Sequence, residues 1–340
     1  MTLVIRERRH QQALRLSLPQ RNPPSLSSSS SSSSSSPLPH ASVSLSGSSS
    51  SSSSVLVNLS DLEKLAVLGH GNDGIVYKVR HKKSNCFYAL KVIRSNPIIG
   101  IDGSPNHVEA EILKKMDSPY VVKCHAVFDN GSCSDNGVSF VMEYMGGGSL
   151  YDILKHHRTL SEDVISDVAK RVLEGLNYLH AMHVVHRDIK PSNLLVNEKG
   201  HVVVEEKESN GGGGDYDLHH YGNAGTCAYM SPERIDPESW RGGGGGDGFA
   251  GDVWSMGGGG FGVLSGAFSV DQGGAETGLG NTDMPETASP EFKSFVLRCL
   301  EKDWRKRATV KELLQHPFVN RGGCCNFSRK RLGDYVVLQG

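Results

Sequence analysis

The chain has almost no net charge: 36 Lys and Arg stand against 37 Asp and Glu, leaving it at -1. That balance excludes a general attraction to polyanions such as nucleic acid, so any basic surface has to be local. Cysteine order is missing too. The seven cysteines are scattered, with no CxxC pair and no zinc spacing, which favours a reducing, intracellular setting with ordinary thiols. The adjacent Cys324 and Cys325 offer a lipidation or redox site, but two free thiols in a loose tail are the simpler reading. No run approaches the ~18 apolar residues of a membrane span, so a soluble protein without a span is expected. The opening MTLVI meets Arg6 too soon for a secretory h-region.

Acidic side chains are also lacking over the first part of the chain, where Glu7 is the one acid before Asp61. This part is poor in aromatics and holds serine tracts at 27–36 and 48–54. Such a segment cannot bury enough apolar area to offset its ordering entropy, so residues 21–60 read as a disordered linker. An arginine- and serine-rich, acid-poor start is also how an organelle transit peptide looks. That stays as the alternative to a cytoplasmic setting, with the nucleus as a second compartment.

From Asp61 the pattern is globular, and 340 residues leave ample length for a core. KLAVLG and GIVYKVRH are β-rich runs around a glycine turn, CFYALKVIR reads as a third strand and SFVMEYM as another. HVEAEILKKM has helical spacing. Thr159-Leu160-Ser161-Glu162 reads as a capping box, after which Val164, Ile165, Val168, Val172, Leu176 and Leu179 share one helical face. A strand-rich part therefore precedes a helix-rich part, an α+β arrangement of two lobes with a cleft between them. Residues 319–340 read as an irregular tail, and the SRKRL within it is too short to argue for nuclear import.

Gly69, Gly71 and Gly74 have GxGxxG spacing, which a dinucleotide fold shares. Here IVYKV follows as a strand instead of the helix that fold needs, so a glycine-tipped hairpin over a nucleotide's phosphates fits better. Lys91 lies inside an apolar strand and needs a counter-ion, for which Glu109 on the next helix is the natural choice and Glu111 the runner-up. In VVHRDIKPSNLLV, Asp188 can accept the proton of an attacking hydroxyl and Asn193 can ligate magnesium. Lys190 can neutralise charge on a transferred phosphoryl group, while His186 and Arg187 brace the loop.

Residues 61–318 resemble a eukaryotic protein kinase domain. DLEKLAVLG, SPYVVKCHAVF, VMEYMGGGSL and GTCAYMSPERID look like the mitogen-activated protein kinase kinases of plants. The resemblance implies a bilobal kinase fold, ATP and Mg2+ as cofactors, and phosphoryl transfer to Thr and Tyr of a downstream mitogen-activated protein kinase. It implies Leu68, Val76, Ala89 and Leu195 around the nucleotide, Met142 as gatekeeper and Glu143 to Met145 as the adenine hinge. It also pairs Glu233 with Arg307, brings Thr226 to the catalytic loop and has Asp252 anchor that loop's backbone. An upstream kinase is a further implied partner. Residues 1–20 are similar to the docking peptide of this family, with Arg6, Arg8 and Arg9 ahead of the alternate leucines Leu14, Leu16 and Leu18. An extended peptide can offer such leucines to a groove while the arginines meet acidic groups.

What the sequence lacks against that family is Asp-Phe-Gly. Aligned on the strand HVVV, its positions hold Glu206, Lys207 and Glu208. Loss of the aspartate should cost several kcal/mol, roughly two to four orders of magnitude in rate, unless Glu206 replaces it as metal ligand. The alternative is a pseudokinase scaffold that docks a downstream kinase without catalysis. The activation-loop Ser/Thr pair is replaced by Tyr216 and Gly222. Gly257–Gly260 falls where a buried helix is expected, at ~1 kcal/mol per glycine relative to alanine, so the second lobe reads as degenerate over 257–290.

Overall fold

Alternating β-branched and polar residues after Asp61 produce five strands: β1 (Leu62–His70), β2 (Gly74–His81), β3 (Phe87–Arg94), β4 (Cys124–Asp129) and β5 (Gly137–Glu143). The computed structural model describes residues 57–70, 74–94, 113–129, 137–157, 159–205, 229–236, 248–258, 286–321 and 331–336. The chain divides into the units Met1–Ser54 and Val55–Gly340, and every described residue belongs to the second. The strands form one antiparallel sheet in the order β1-β2-β3-β5-β4. Side chains alternate across it. Ala89, Ile93, Phe140 and Met142 pack into the large core that the helices share. Val79, Leu90 and Val141 turn to the other face, where Val57 and Leu59 cover them as a second, smaller cluster. Val57, the first described residue, thus packs although it lies within the stretch read as linker.

The second lobe begins with α1 (Leu150–His157) and α2 (Glu162–Ala181). All six residues of the apolar face read from the sequence of α2 are buried, and Ala169 and Leu173 widen that face. Gly175 permits a close approach from outside the helix: a Cβ there would lie 2.9 Å from the Tyr120 carbonyl oxygen and from Val204. Two short strands, β6 (Leu194–Val196) and β7 (Val202–Val204), pair antiparallel beneath the cleft. Then follow α3 (Pro232–Ile235), α4 (Gly248–Ser255), α5 (Pro290–Cys299) and α6 (Val310–Leu314).

The capping box expected at Thr159 and Glu162 does not form. The helix starts at Glu162, so Ser161 is its N-cap and Glu162 stands too early to serve as the box's third residue. Glu162 instead accepts from the Ser289 backbone N–H at 2.7 Å, the Ser289 hydroxyl at 2.6 Å and Arg321 at 2.6 Å. A box of this kind opens α6, where Thr309 and Glu312 exchange side chain-to-backbone bonds. In the tail read as irregular, Leu332–Tyr335 forms a 3-10 turn with Leu332 buried.

Of Gly257–Gly260, where a buried helix is expected, the first two lie among the described residues. α4 continues through a π turn at 256–258, and Val253, Trp254 and Met256 are buried. Residues 259–285, most of the stretch read as degenerate, lie outside the described residues. Gly257 is required by packing, since a Cβ on it would lie 2.4 Å from Cys299 Cβ. Gly257→Ala would gain about 1 kcal/mol of helix propensity. Overpacking should outweigh this at about 1–3 kcal/mol, so the melting temperature should fall. Gly251→Ala, whose Cβ would meet only the Ser231 hydroxyl at 3.5 Å, should hold or raise it. Thermal melts of the two variants check this contrast.

Candidate active site

Residues 184–193 connect α2 to β6 as a loop with little regular structure, so something must hold it. Asp252 of α4 does. One oxygen of this buried carboxylate accepts from the Arg187 N–H at 2.7 Å, and the other from the His186 N–H at 2.9 Å. The second oxygen also meets His180 Nε2 at 2.9 Å. Arg187 has φ +67°, a left-handed conformation that costs a non-glycine residue about 1–2 kcal/mol. The two bonds to Asp252 offset that cost, and Arg234 of α3 donates to the Arg187 carbonyl. His180 carried no motif; its signal was a polar ring near the end of an otherwise apolar helical face.

His186 is buried between two backbone groups. Its Nδ1 accepts from the Asp188 N–H at 3.1 Å, so its Nε2 carries the proton, 2.6 Å from the Glu205 carbonyl. Burial pushes its pKa down, against the charges of Asp252 and Asp188, and keeps the ring neutral in this one tautomer. The Glu205 N–H donates to the Asn193 carbonyl at 2.9 Å. The backbone of Glu205 is thereby tied to both ends of the loop, a role the sequence did not reveal. Asp188 itself is buried, with Lys190 Nζ 3.1 Å from one oxygen and Asn193 Nδ2 2.8 Å from the other. Asn193 Nδ2 also donates to the Asp188 carbonyl at 2.7 Å.

The upper wall follows from strand register. Val76, Lys91 and Phe140 form one cross-strand row, and Ala89 pairs with Met142 in the next row on the same face. Gly69 opposes Val76 from β1, and Leu68 is exposed beside it. Glu143 ends β5 and donates its N–H to the Lys123 carbonyl at 2.9 Å; Met145 follows, buried. The glycines after Met145 let the crossing chain lie against β6. A Cβ on Gly147 would stand 2.8 Å from the Val196 carbonyl oxygen, and the Gly147 N–H donates to that oxygen at 2.9 Å. Leu195 lies on β6, half-buried against the same core as Ala89.

A family model for the protein kinase domain matches residues 62–319. The chain belongs to the protein kinase family. Within it, the chain is 45% identical over 331 residues to mitogen-activated protein kinase kinase 10 of Arabidopsis thaliana, covering 94% of this chain and 99% of that protein. Mitogen-activated protein kinase kinase 9 of the same plant is 40% identical over 280 residues, with 77% and 86% covered. The SIPKK mitogen-activated protein kinase kinase of Nicotiana tabacum is 34% identical over 287 residues, with 77% and 74% covered. These matches make the chain a plant mitogen-activated protein kinase kinase by family.

Kinases of this family generally use ATP and Mg2+, and the residues here fit the nucleotide. Val76 and Ala89 stay half-buried on the sheet face that also carries Lys91, as an apolar slot beside a phosphate-facing cation requires. For magnesium the described residues supply the Asn193 amide oxygen, since its nitrogen is spent on Asp188. No group of three or more His, Cys, Asp or Glu side chains among the described residues is placed to hold a metal ion. Gly71, Glu109, Glu111, Glu206, Lys207, Glu208, Tyr216, Gly222 and Thr226 lie outside the described residues, as do Arg6, Arg8, Arg9, Leu14, Leu16 and Leu18. Among the described residues, Lys91 makes no ion pair.

Glu233 and Arg307 brace the kinase from below. Arg307 donates to both Glu233 oxygens, at 2.7 and 2.9 Å, and to the Ala250 and Glu301 carbonyls at 2.8 and 2.9 Å. Its guanidinium lies 4.9 Å from the centre of the Trp254 ring. Burial pushes the Glu233 carboxyl up, but the Arg307 bonds and charge outweigh burial and hold it below its ordinary 4.5. A carboxylate with a lowered folded pKa contributes stability that is present above the ordinary value and lost as pH falls through the folded one. Glu233→Gln should therefore cost about 3–5 kcal/mol near neutral pH by leaving Arg307 buried without its partner. It should also flatten the acid side of the stability profile, which urea unfolding at a series of pH values would measure.

Proposed function

We propose that this kinase transfers a phosphoryl group from ATP to Thr and Tyr side chains of a downstream mitogen-activated protein kinase. The observation that supports it most directly is the Asp188 carboxylate, shared between Lys190 and Asn193 on a loop that Asp252 holds by its backbone. When bound, ATP with magnesium supplies the group to be transferred and part of the charge that offsets it. The chain's own residues do the rest. Asp188 accepts the proton of the attacking hydroxyl, Lys190 balances charge developing beside it, and Lys91 holds phosphate oxygens. Asn193, together with Glu206, would hold the metal. Arg6, Arg8 and Arg9 with Leu14, Leu16 and Leu18 recruit the substrate, an upstream kinase acts on this one, and the setting is cytoplasmic with access to the nucleus.

One observation favours a second reading, a scaffold that docks the downstream kinase without catalysis. It is the sequence Glu206-Lys207-Glu208 directly after Glu205, where the family has Asp-Phe-Gly. Phosphate transfer to a catalytically dead downstream kinase separates the two. Transfer should exceed that of Asp188→Asn by about 10²–10⁴-fold. Equal signals would leave the scaffold reading standing. Glu206→Ala should abolish transfer if Glu206 ligates the metal. Alanines at Arg8, Arg9, Leu14 and Leu16 should weaken binding of the downstream kinase by about tenfold or more in a titration. Unchanged affinity would refute docking through this segment.

A further inference from the structure

The basic run Arg329-Lys330-Arg331 has no part in the reaction above, and the structure brings its last residue to a concave site. Leu332 is buried in the main core, and the Tyr335 ring meets His157 edge-on with centroids 5.0 Å apart. Gly200, at φ +73°, leaves room for this chain: a Cβ there would stand 2.4 Å from the Gly333 nitrogen. Between α2, the turn joining β6 to β7, and the 331–333 segment lies a pocket of about 430 Å³. None of the catalytic-loop residues lines it.

Its charge is one-sided. Lys170 and Arg171 come from α2, Lys199 and His201 from the turn, and Arg331 from the C-terminal segment. Asp167 is the one acid among the described lining residues. Lys170, Arg171, Lys199 and Arg331 make no ion pair with any described carboxylate. The potential is visible at His201, whose pKa is lowered by burial first and then by Arg171 and Lys199. The scaffold is stiff, because the Asn197 side chain accepts from the Lys199 and His201 N–H groups at 3.0 and 2.9 Å and fixes the turn. Val168, Val202 and Leu332 are buried beneath the rim.

We propose that this pocket binds a compact anion carrying several phosphate groups. Its volume falls within the range of small-molecule sites, about 300–1,000 Å³. Cations from three chain segments surround it, more than one carboxylate could satisfy, whereas adjacent phosphates can engage guanidinium and ammonium groups together. The ligand bridges α2 to the C-terminal segment and so fastens that segment to the lobe.

Calorimetric titration of the full chain with inositol hexakisphosphate and with tripolyphosphate tests the free anion. Co-sedimentation with phosphatidylcholine vesicles, with and without phosphatidylinositol bisphosphate, tests the same chemistry on a lipid headgroup. Saturable binding should weaken by about tenfold or more in Lys170→Gln/Arg171→Gln/Lys199→Gln, whose unliganded melting temperature should be unchanged. It should persist in Lys293→Gln/Arg298→Gln/Lys306→Gln, which neutralises a different basic patch, around α5. The same dependence on vesicles alone assigns the site to a headgroup. No saturable binding of any probe, binding that survives the first triple substitution, or equal loss in both overturns the proposal.

Discussion

A carboxylate with almost no access to water holds the catalytic loop. Asp252 would be costly to bury alone. Two backbone N–H groups and one imidazole converge on it. Those same bonds fix the loop at His186 and Arg187, one residue before Asp188. The positive φ of Arg187 persists because of them. α2 supplies His180, α4 supplies Asp252, and the apolar packing of both helices therefore sets where Asp188 stands.

The loop is closed on its far side by Glu205, whose carbonyl receives His186 and whose N–H reaches Asn193. His186 does this with Nε2 toward the Glu205 carbonyl, while its Nδ1 accepts from the Asp188 N–H. The chain is fixed up to the residue that precedes Glu206-Lys207-Glu208.

Much of this was legible beforehand. Period-two alternation gave β2 with its observed ends, and period 3.6 gave the buried face of α2. The catalytic loop was legible because its chemistry needs several unlike side chains at close spacing. What was hidden depends on partners distant in sequence. The start of α2 could not be read from Thr159 and Glu162 alone, because Glu162 serves Ser289 and Arg321. Glu205 acts through two backbone groups, which leave no pattern, and His180 through one ring that only its place on an apolar helical face could mark. Leu332 follows the basic run Arg329-Lys330-Arg331 and precedes Gly333 and Asp334, with no periodic apolar pattern to mark it as buried. Gly257 looked like damage because helix propensity is local, whereas the close contact with Cys299 is not.

The smaller apolar cluster on the outer face of the sheet has a mechanical consequence. Among the described residues, Val57, Val79, Leu90 and Val141 hold that face together without any from the helical lobe. If the two lobes part, water wets only the inner row of Ala89, Ile93, Phe140 and Met142, and the strands keep their covering on the other side. The sheet can then tilt as one piece, and the free energy of opening scales with a single wetted surface instead of the unfolding of a lobe.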